Sequence, residues 1–442
     1  MLKIKTLKNG MQLVVDENNS PITSFGLLVK VGSFNENKDE EGVSHFIEHL
    51  MFKSTKNNSV EEIATKTAFL GTEANAYTSN THTLYHFKSL TENFEKSLEI
   101  YADMLQNGIF NPREVNSERE VVLEEMSRAM DNPISVLFDK TNEALYSGTC
   151  YAHPVLGNEE VIKNISIEKI KNYIAKHYTP NNMVVSVSGG ITMEQAEELI
   201  IKYFPNYFKE EHGVKQIDRT PVDIVVGDKY IVSFKDDNQV NIMVSIKGKN
   251  MFDKDHYIQT LYATILGGDM SSRLFLTLRE KMGLAYSVSA FADAEINFGT
   301  VRMYIGTSKD KVSKALIGMR KIMLDMAKNG ATELELQKAK NQIKAELMFG
   351  NETGENIMMS NATKLSTKGE ILSNIELLDK IDSITVEDIN RFAKEIFIQN
   401  EFVVCAVGKD IKKEDLRVFE TCVKQREHKK STTKSQEKES IK

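Results

Sequence analysis

The feature that most constrains the fold is that the two halves of the chain echo each other. Ser166–Gly190, SIEKIKNYIAKHYTPNNMVVSVSGG, runs from a capped amphipathic helix into an apolar strand that stops at glycine. Thr385–Lys409, TVEDINRFAKEIFIQNEFVVCAVGK, does the same, with Val386, Ile389, Val403 and Gly408 answering Ile167, Ile170, Val184 and Gly189. FGLLVKVGS at Phe25–Ser33 matches VNIMVSIKG at Val240–Gly248, and ANAYTS at Ala74–Ser79 matches LAYSVS at Leu284–Ser289. A period of roughly 210 to 220 residues is too long for the stacked unit of a solenoid, so the pattern predicts one duplicated domain and not an array. The 442 residues accommodate two copies of ordinary domain size. The polar stretch Lys209–Gly227 marks the join, giving domains at 1–210 and 228–425. From Arg426 the sequence REHKKSTTKSQEKESIK has no apolar period, and 426–442 is expected to be a disordered tail.

Each half interleaves strands with helices. The N-terminus alternates apolar and polar residues about a turn at Asn9-Gly10, which reads as strand, turn, strand and not as a signal peptide. Ser59 and Glu62 have capping-box spacing for a helix that ends at Gly71. Strands are expected at Glu73–Ser79 and Thr83–Lys88, paired as a hairpin, then a helix over about Asn93–Leu105. Asn111-Pro112 opens a long helix, with Asn as its cap and Pro at its first position. Hairpins mixed with helices predict an α+β class, with largely antiparallel sheets each covered on one face.

Composition narrows the function. The net charge is only −7, and the 56 basic residues are scattered along the chain, so a dedicated nucleic-acid binder is excluded. No apolar run approaches the roughly 20 residues of a membrane span. Three distant cysteines, Cys150, Cys405 and Cys422, form neither a disulfide framework nor a zinc cluster of their own. The expectation is a soluble, cytoplasmic protein in a reducing compartment.

The chemistry sits in GVSHFIEHLMFKST, Gly42–Thr55, where His45, Glu48 and His49 form H-x-x-E-H. On a helix the i and i+4 histidines project from one face, at a separation from which both imidazoles reach one tetrahedral zinc ion. Glu48 lies on the same side, close enough to touch a zinc-bound water of lowered pKa, take its proton and return it to a leaving amine. With nine histidines in the chain, such a pattern arises by chance roughly one time in a hundred. Phe46, Ile47, Leu50 and Met51 make the helix mostly buried, and a buried His-Glu-His cluster needs partners.

Two histidines leave a metal short of ligands. In the long helix, SEREVVLEEMSRAM carries Glu118 and Glu125 two turns apart on one face, about 10 Å along the axis. One should ligate and the other support it, and the spacing alone does not say which. Glu124 points some 100° away, toward solvent.

The order H-x-x-E-H, NAYTS, E-R-x-V-V-x-x-E and S-S-R-L-F…R-E-K-x-G-L-A-Y-S resembles the inverted-motif zinc peptidases that include pitrilysin, insulin-degrading enzyme and the mitochondrial processing peptidase. The likeness spans about Leu7–Gly408 and is greatest to the catalytic β subunit of that processing peptidase and its short bacterial relatives. It implies two homologous α/β-roll domains of the LuxS/MPP-like metallohydrolase fold, only the first of them catalytic. It implies His45, His49 and Glu125 as ligands of one Zn2+ per chain, Glu48 as general base and Glu118 as the supporting carboxylate. Asn75, Ala76 and Tyr77 match an edge strand to which extended peptide adds by main-chain hydrogen bonds. Arg279 and Tyr286 match the pair that binds substrate backbone and stabilises the tetrahedral intermediate.

The second half has no counterpart of H-x-x-E-H; its equivalent helix reads DHYIQTLYATILGG, with His256 alone. Asn80-Thr81-His82-Thr83 departs from the acidic residue relatives often carry there, and His82 is expected at the surface. Ser135 beside Asp139 weakens the case for arginine-directed cleavage, and the family's glycine-rich loop is reduced to Gly267-Gly268. The resemblance thus implies an endopeptidase for unfolded or short peptides in a clamshell chamber, of which one chain makes half. A homodimer completes it, each copy lending Arg279 and Tyr286 to the other, with a related subunit as the heterodimeric alternative. The rival readings are a non-catalytic binding subunit of the same family and a metal-dependent hydrolase of small molecules.

Overall fold

In the first half the chain runs β1 (Leu2–Thr6), β2 (Gln12–Glu17), β3 (Ile22–Val29), α1 (Val43–Leu50), α2 (Val60–Phe69), β4 (Glu73–Thr78) and β5 (Thr83–Leu90). It continues through α3 (Phe94–Asn107), α4 (Pro112–Asp131), α5 (Pro133–Leu145), α6 (Glu159–Asn164), α7 (Ile167–His177), β6 (Met183–Gly189) and α8 (Met193–Tyr203). The second half gives β7 (Tyr230–Phe234), β8 (Gln239–Lys247), α9 (His256–Gly267), a π-helical segment at Phe275–Lys281, β9 (Ser287–Ala294) and β10 (Gly299–Ser308). It ends with α10 (Val312–Asn329), α11 (Glu333–Phe349), α12 (Gly354–Lys368), α13 (Asn374–Asp382), α14 (Val386–Ile398) and β11 (Phe402–Gly408). This computed structural model describes residues 1–213, 215–222, 224 and 226–420; the tail expected at 426–442, and Cys422, lie outside the described residues.

The local signals explain the elements. The Ser59 hydroxyl accepts from the Glu62 amide while Glu62 reaches back to Ser59, so the capping box forms and starts α2. Gly10 turns β1 into β2 at φ +81°, where a Cβ would come 2.8 Å from the Asn181 Cβ.

The chain folds as two units. Unit 1 comprises Met1–Arg128, Thr149–Asp218 and Ala345–Ser373; unit 2 comprises Ala129–Gly148, Arg219–Lys344 and the chain from Asn374. Unit 1 holds a sheet of order β1-β2-β6-β3-β5-β4, antiparallel except for β2 beside β6. Unit 2 repeats the last five strands as β7-β11-β8-β10-β9, again with one parallel pair, β7 beside β11. The duplication read from sequence is therefore strand-for-strand.

Two details differ from the sequence reading. Each sheet is covered on both faces at its centre. In unit 1, period-2 alternation sends Leu13, Val15, Phe25, Leu27 and Val29 into the main core with Phe46, Ile47 and Leu98. Val14, Leu28, Leu84 and Val184 go to the other face, where Ala362 and Leu365 of α12 cover them. Gly26 allows that approach, because a Cβ there would stand 2.3 Å from the Met358 sulfur. In unit 2 the corresponding cover is α5, which packs on β11, β8 and β7. Each second-face helix comes from the opposite half of the sequence, so the units exchange 129–148 and 345–373 across the continuous boundaries expected at 1–210 and 228–425.

The second difference is a register. The loops of the β4–β5 and β9–β10 hairpins each hold four residues, 79–82 and 295–298. Thr78 therefore corresponds to Ala294, and Ala74–Ser79 to Ala290–Glu295, six residues beyond the match drawn to Leu284–Ser289. Both segments alternate small and polar residues, and a period-2 pattern does not fix its own register over so short a run.

Candidate active site

α1 is capped by Gly42, whose φ is +93° and where a Cβ would stand 2.6 Å from the Leu156 carbonyl oxygen, so a side chain has no room. The buried Glu36 carboxylate accepts from the first amides of this helix, Gly42 N at 2.7 Å and Ser44 N at 2.8 Å. Burial pushes the Glu36 carboxyl up to about 7 despite those two hydrogen bonds. Phe46, Ile47 and Leu50 enter the core, which leaves His45, Glu48 and His49 on the remaining side of the helix.

The two Nε2 atoms of His45 and His49 lie 3.3 Å apart. Glu125 Oε2, from α4, is 3.8 Å from the first and 3.5 Å from the second. Atoms bound 2.0–2.1 Å from a tetrahedral zinc ion stand roughly 3.3–3.4 Å from one another. The three donors thus fit a zinc ion with one open position, and they are the group that could hold a metal among the described residues. Burial, and then His49, lowers the His45 imidazole to about 4, which keeps it a neutral donor.

The two glutamates of α4 meet the same imidazole. Glu118 Oε1 is 2.9 Å from His49 Nδ1, while Glu125 faces Nε2 of the same ring. The two carboxylates thus meet opposite nitrogens of one histidine, Glu125 on the side of the candidate metal site and Glu118 behind it. Lys53 ion-pairs with the second oxygen of Glu118. Burial alone would lower His49; Glu118, Glu48 and Glu125 outweigh it and raise it. Burial opposes ionisation of Glu118 as well, but His49 and Lys53 hold its carboxyl below the usual range. Glu124 points away, exposed and paired with Arg128 one turn on. His45 Nδ1 is buried without a hydrogen-bond partner among the described residues.

Glu48 is flanked by β4. Its Oε2 accepts from the Thr78 hydroxyl at 2.6 Å. Burial raises the Glu48 carboxyl above its ordinary value, against the pull of Thr78 and His49. That direction suits a group that must both take and give a proton near neutrality. β4, carrying Asn75, Ala76 and Tyr77, is an edge strand of its sheet and pairs with β5 alone among the described residues. The Tyr101 hydroxyl, 2.8 Å from the Asn75 and His86 carbonyls, ties those two strands together.

His82 is not at the surface. It is buried in the β4–β5 turn, with Nε2 3.2 Å from the Tyr77 hydroxyl and Nδ1 within reach of Ser79 and Thr81. Burial lowers it to about 4, so a neutral ring locks the turn that follows Thr78.

Arg279 and Tyr286 are brought together on unit 2. Arg279 rides the π-helical segment, its guanidinium 4.6 Å from the Phe275 ring and 5.5 Å from that of Tyr286. Its ion pair with Glu280 is long, 3.7 Å, and Tyr286 is 82% exposed. Ser135 and Asp139 lie one turn apart on α5. Gly267 closes α9 where a Cβ would meet the Ala290 nitrogen of β9 at 2.3 Å, a packing role.

Lys53 and Thr78 were not singled out in the sequence, though both had a signal. Lys53 follows His49 by four residues, and Thr78 follows Tyr77 on a strand that alternates faces. A cavity of about 760 Å3 bounded by α2, α3 and the end of α8 shares no lining residue with the cluster. Donor geometry, not cavity size, locates the chemistry.

The family described as insulinase (peptidase family M16) matches residues 13–159, and the peptidase M16 inactive domain matches residues 164–343. An uncharacterized zinc protease of Rickettsia bellii is 30% identical over 398 residues, 89% of this chain and 94% of its own. The uncharacterized zinc protease YmxG of Bacillus subtilis is 29% identical over 402 residues, 90% of this chain and 97% of that one. The crystal structure of a protease from Helicobacter pylori superposes with a TM-score of 0.83 at 24% identity, covering 92% of this chain and 99% of that one, which establishes the fold. This chain belongs to peptidase family M16, the zinc metallopeptidases related to insulinase.

Proposed function

We propose that this protein is a zinc endopeptidase that hydrolyses unfolded or short peptides. The observation that carries the reading is the convergence of His45 Nε2, His49 Nε2 and Glu125 Oε2 at 3.3 to 3.8 Å, with Glu48 beside them under an edge strand. One zinc ion per chain, held by those three residues, would supply Lewis acidity at the scissile carbonyl. Glu48 takes the proton of the attacking water and passes it to the leaving amine. Glu118 fixes the ring of His49. Peptide lies extended along β4 and bonds to its free edge through the main chain at Asn75–Tyr77, so affinity depends little on sequence. Arg279 and Tyr286 donate to the developing oxyanion. We assign that pair to a second copy of the chain, in a homodimer that encloses the substrate. The odd, widely separated cysteines favour a reducing, cytoplasmic compartment.

The test is cleavage of a quenched fluorescent peptide pool by wild type with and without chelator, beside Glu48→Gln with its zinc measured. The expected result is chelator-sensitive cleavage, and a variant that retains zinc but loses about 10²- to 10⁴-fold in rate. An unchanged rate in Glu48→Gln ends the proposal, and bound zinc without cleavage of any peptide leaves a binding subunit instead. Full activity at a gel-filtration mass of one 50.0 kDa chain would remove the dimer.

A further inference from the structure

Thr78 is the last residue of β4, immediately after the three residues proposed to receive the peptide backbone. Alternation along that strand separates its faces. Tyr77 packs toward α12 with Leu84 and Met359, while Ala76 packs in the main core beneath α1. Thr78 shares the face of Ala76, and its hydroxyl donates to Glu48 Oε2 at 2.6 Å. Among the described residues Glu48 has no other hydrogen-bond donor. Directly after Thr78, buried His82 pins the turn through Tyr77, Ser79 and Thr81, so the strand end that holds Glu48 is itself held.

We infer that Thr78 is a positioning residue for Glu48, through which the peptide-docking strand sets the orientation of the general base. The inference rests on the zinc-peptidase reading for its catalytic consequence but not for the contact. A carboxylate on a three-torsion side chain has several rotamers open to it, and a hydroxyl donor held on a paired strand selects one. Because the same strand takes the substrate, docking of a peptide and alignment of the base become a single event.

The experiment compares Thr78→Val, which keeps the shape and removes the hydroxyl, with Thr78→Ser, which keeps the hydroxyl. For Thr78→Val the expected result is one zinc per chain, a KM within about twofold of wild type and a kcat lowered at least tenfold. Thr78→Ser should recover kcat to within about threefold. A wild-type kcat in Thr78→Val, a loss confined to KM, or a loss that Ser does not rescue overturns the inference. A second readout needs no turnover: thermal unfolding of the metal-free protein in the cycle Thr78→Val, Glu48→Gln and the double variant. Coupled residues give non-additive shifts in Tm, and additive shifts overturn the inference. If wild type cleaves nothing, the peptidase reading fails while this cycle still decides whether Thr78 holds Glu48.

Discussion

The two units share a sheet order and part company at single residues. On α4, Arg119 donates to the carbonyls of Ile162 and Ile165 at the end of α6. On α11, Lys340 does the same for Asp382 and Ile384 at the end of α13, at 2.9 and 2.6 Å. A cation on the long helix closes the next helix in both units, so this contact belongs to the scaffold. One residue earlier the units diverge: Glu118 reaches His49, whereas Ala339 is simply buried in the core. The same holds for α1 and its counterpart α9, which keeps only His256, hydrogen-bonded to the Asp253 carbonyl at the helix start. What the difference teaches is that the architecture asks for neither histidine nor carboxylate at these places. The candidate metal-binding set is a few side chains on a frame that the other unit builds without them.

The sharpest way to break that comparison is to remove ligands from one unit and the lone histidine from the other. His49→Ala or Glu125→Ala should abolish both bound zinc and peptide cleavage, while His256→Ala should leave one zinc per chain and the wild-type rate. Glu118→Gln is expected in between, with zinc retained but bound about 10- to 100-fold more weakly. Metal content by atomic absorption and titration with a zinc chelator read both. Zinc lost from His256→Ala, or kept by His49→Ala, would contradict the division between units.

The next effect tests what the units share. Leu365 of α12 in unit 1 and Leu137 of α5 in unit 2 are each almost wholly buried in the second face of their sheet. Truncating either to alanine should cost about 2 to 5 kcal/mol, measured from the denaturant midpoint at constant slope. Similar costs would support equivalent roles for the exchanged helices. A cost under about 1 kcal/mol on one side would show that its helix is an ornament to a sheet already stable.

How much of this was legible follows from which signals are local. H-x-x-E-H needed only the i to i+4 spacing, and the capping box of Ser59 and Glu62 only a four-residue window. The duplication was legible because several of the repeated segments were long and strongly apolar. The Glu118 and Glu125 choice was not legible from spacing, because a histidine offers two nitrogens and so accommodates two carboxylates two helical turns apart. The exchange of α5 and α12 was hidden for another reason: an amphipathic face says that a helix must be covered, not by which sheet. The interior strands did carry a hint. β6 is apolar or small at every position and buried throughout, which is the pattern of a strand covered on both faces. His82 was missed because a histidine between threonines in a turn reads as polar, and its burial depends on Tyr77 folding back over it.

The smallest predicted effect contrasts two carboxylates, one in each unit, that respond to pH with opposite sign. Glu36 caps α1 and is raised to about 7, first by burial. Its folded value exceeds its unfolded one, so the native state keeps a proton that the unfolded chain has lost. Stability therefore falls as pH rises from about 4.5 to about 7, by at most about 1.4 kcal/mol per pH unit. Glu335 on α11 is lowered to about 2: burial opposes this, and the Arg273 fork, with Nε at 2.7 Å and Nη2 at 2.8 Å, overcomes it. Its contribution is present above the unfolded value and is lost as pH falls from about 4.5 toward 2. Tm measured between pH 3 and 8 should lose its decline between 4.5 and 7 in Glu36→Gln, since a neutral amide can still accept one amide of α1 without a desolvated charge. Glu335→Gln should instead flatten the acid limb and leave the neutral one alone. If Glu36→Gln leaves the neutral limb as steep as in wild type, burial of the Glu36 carboxyl is not what sets that limb.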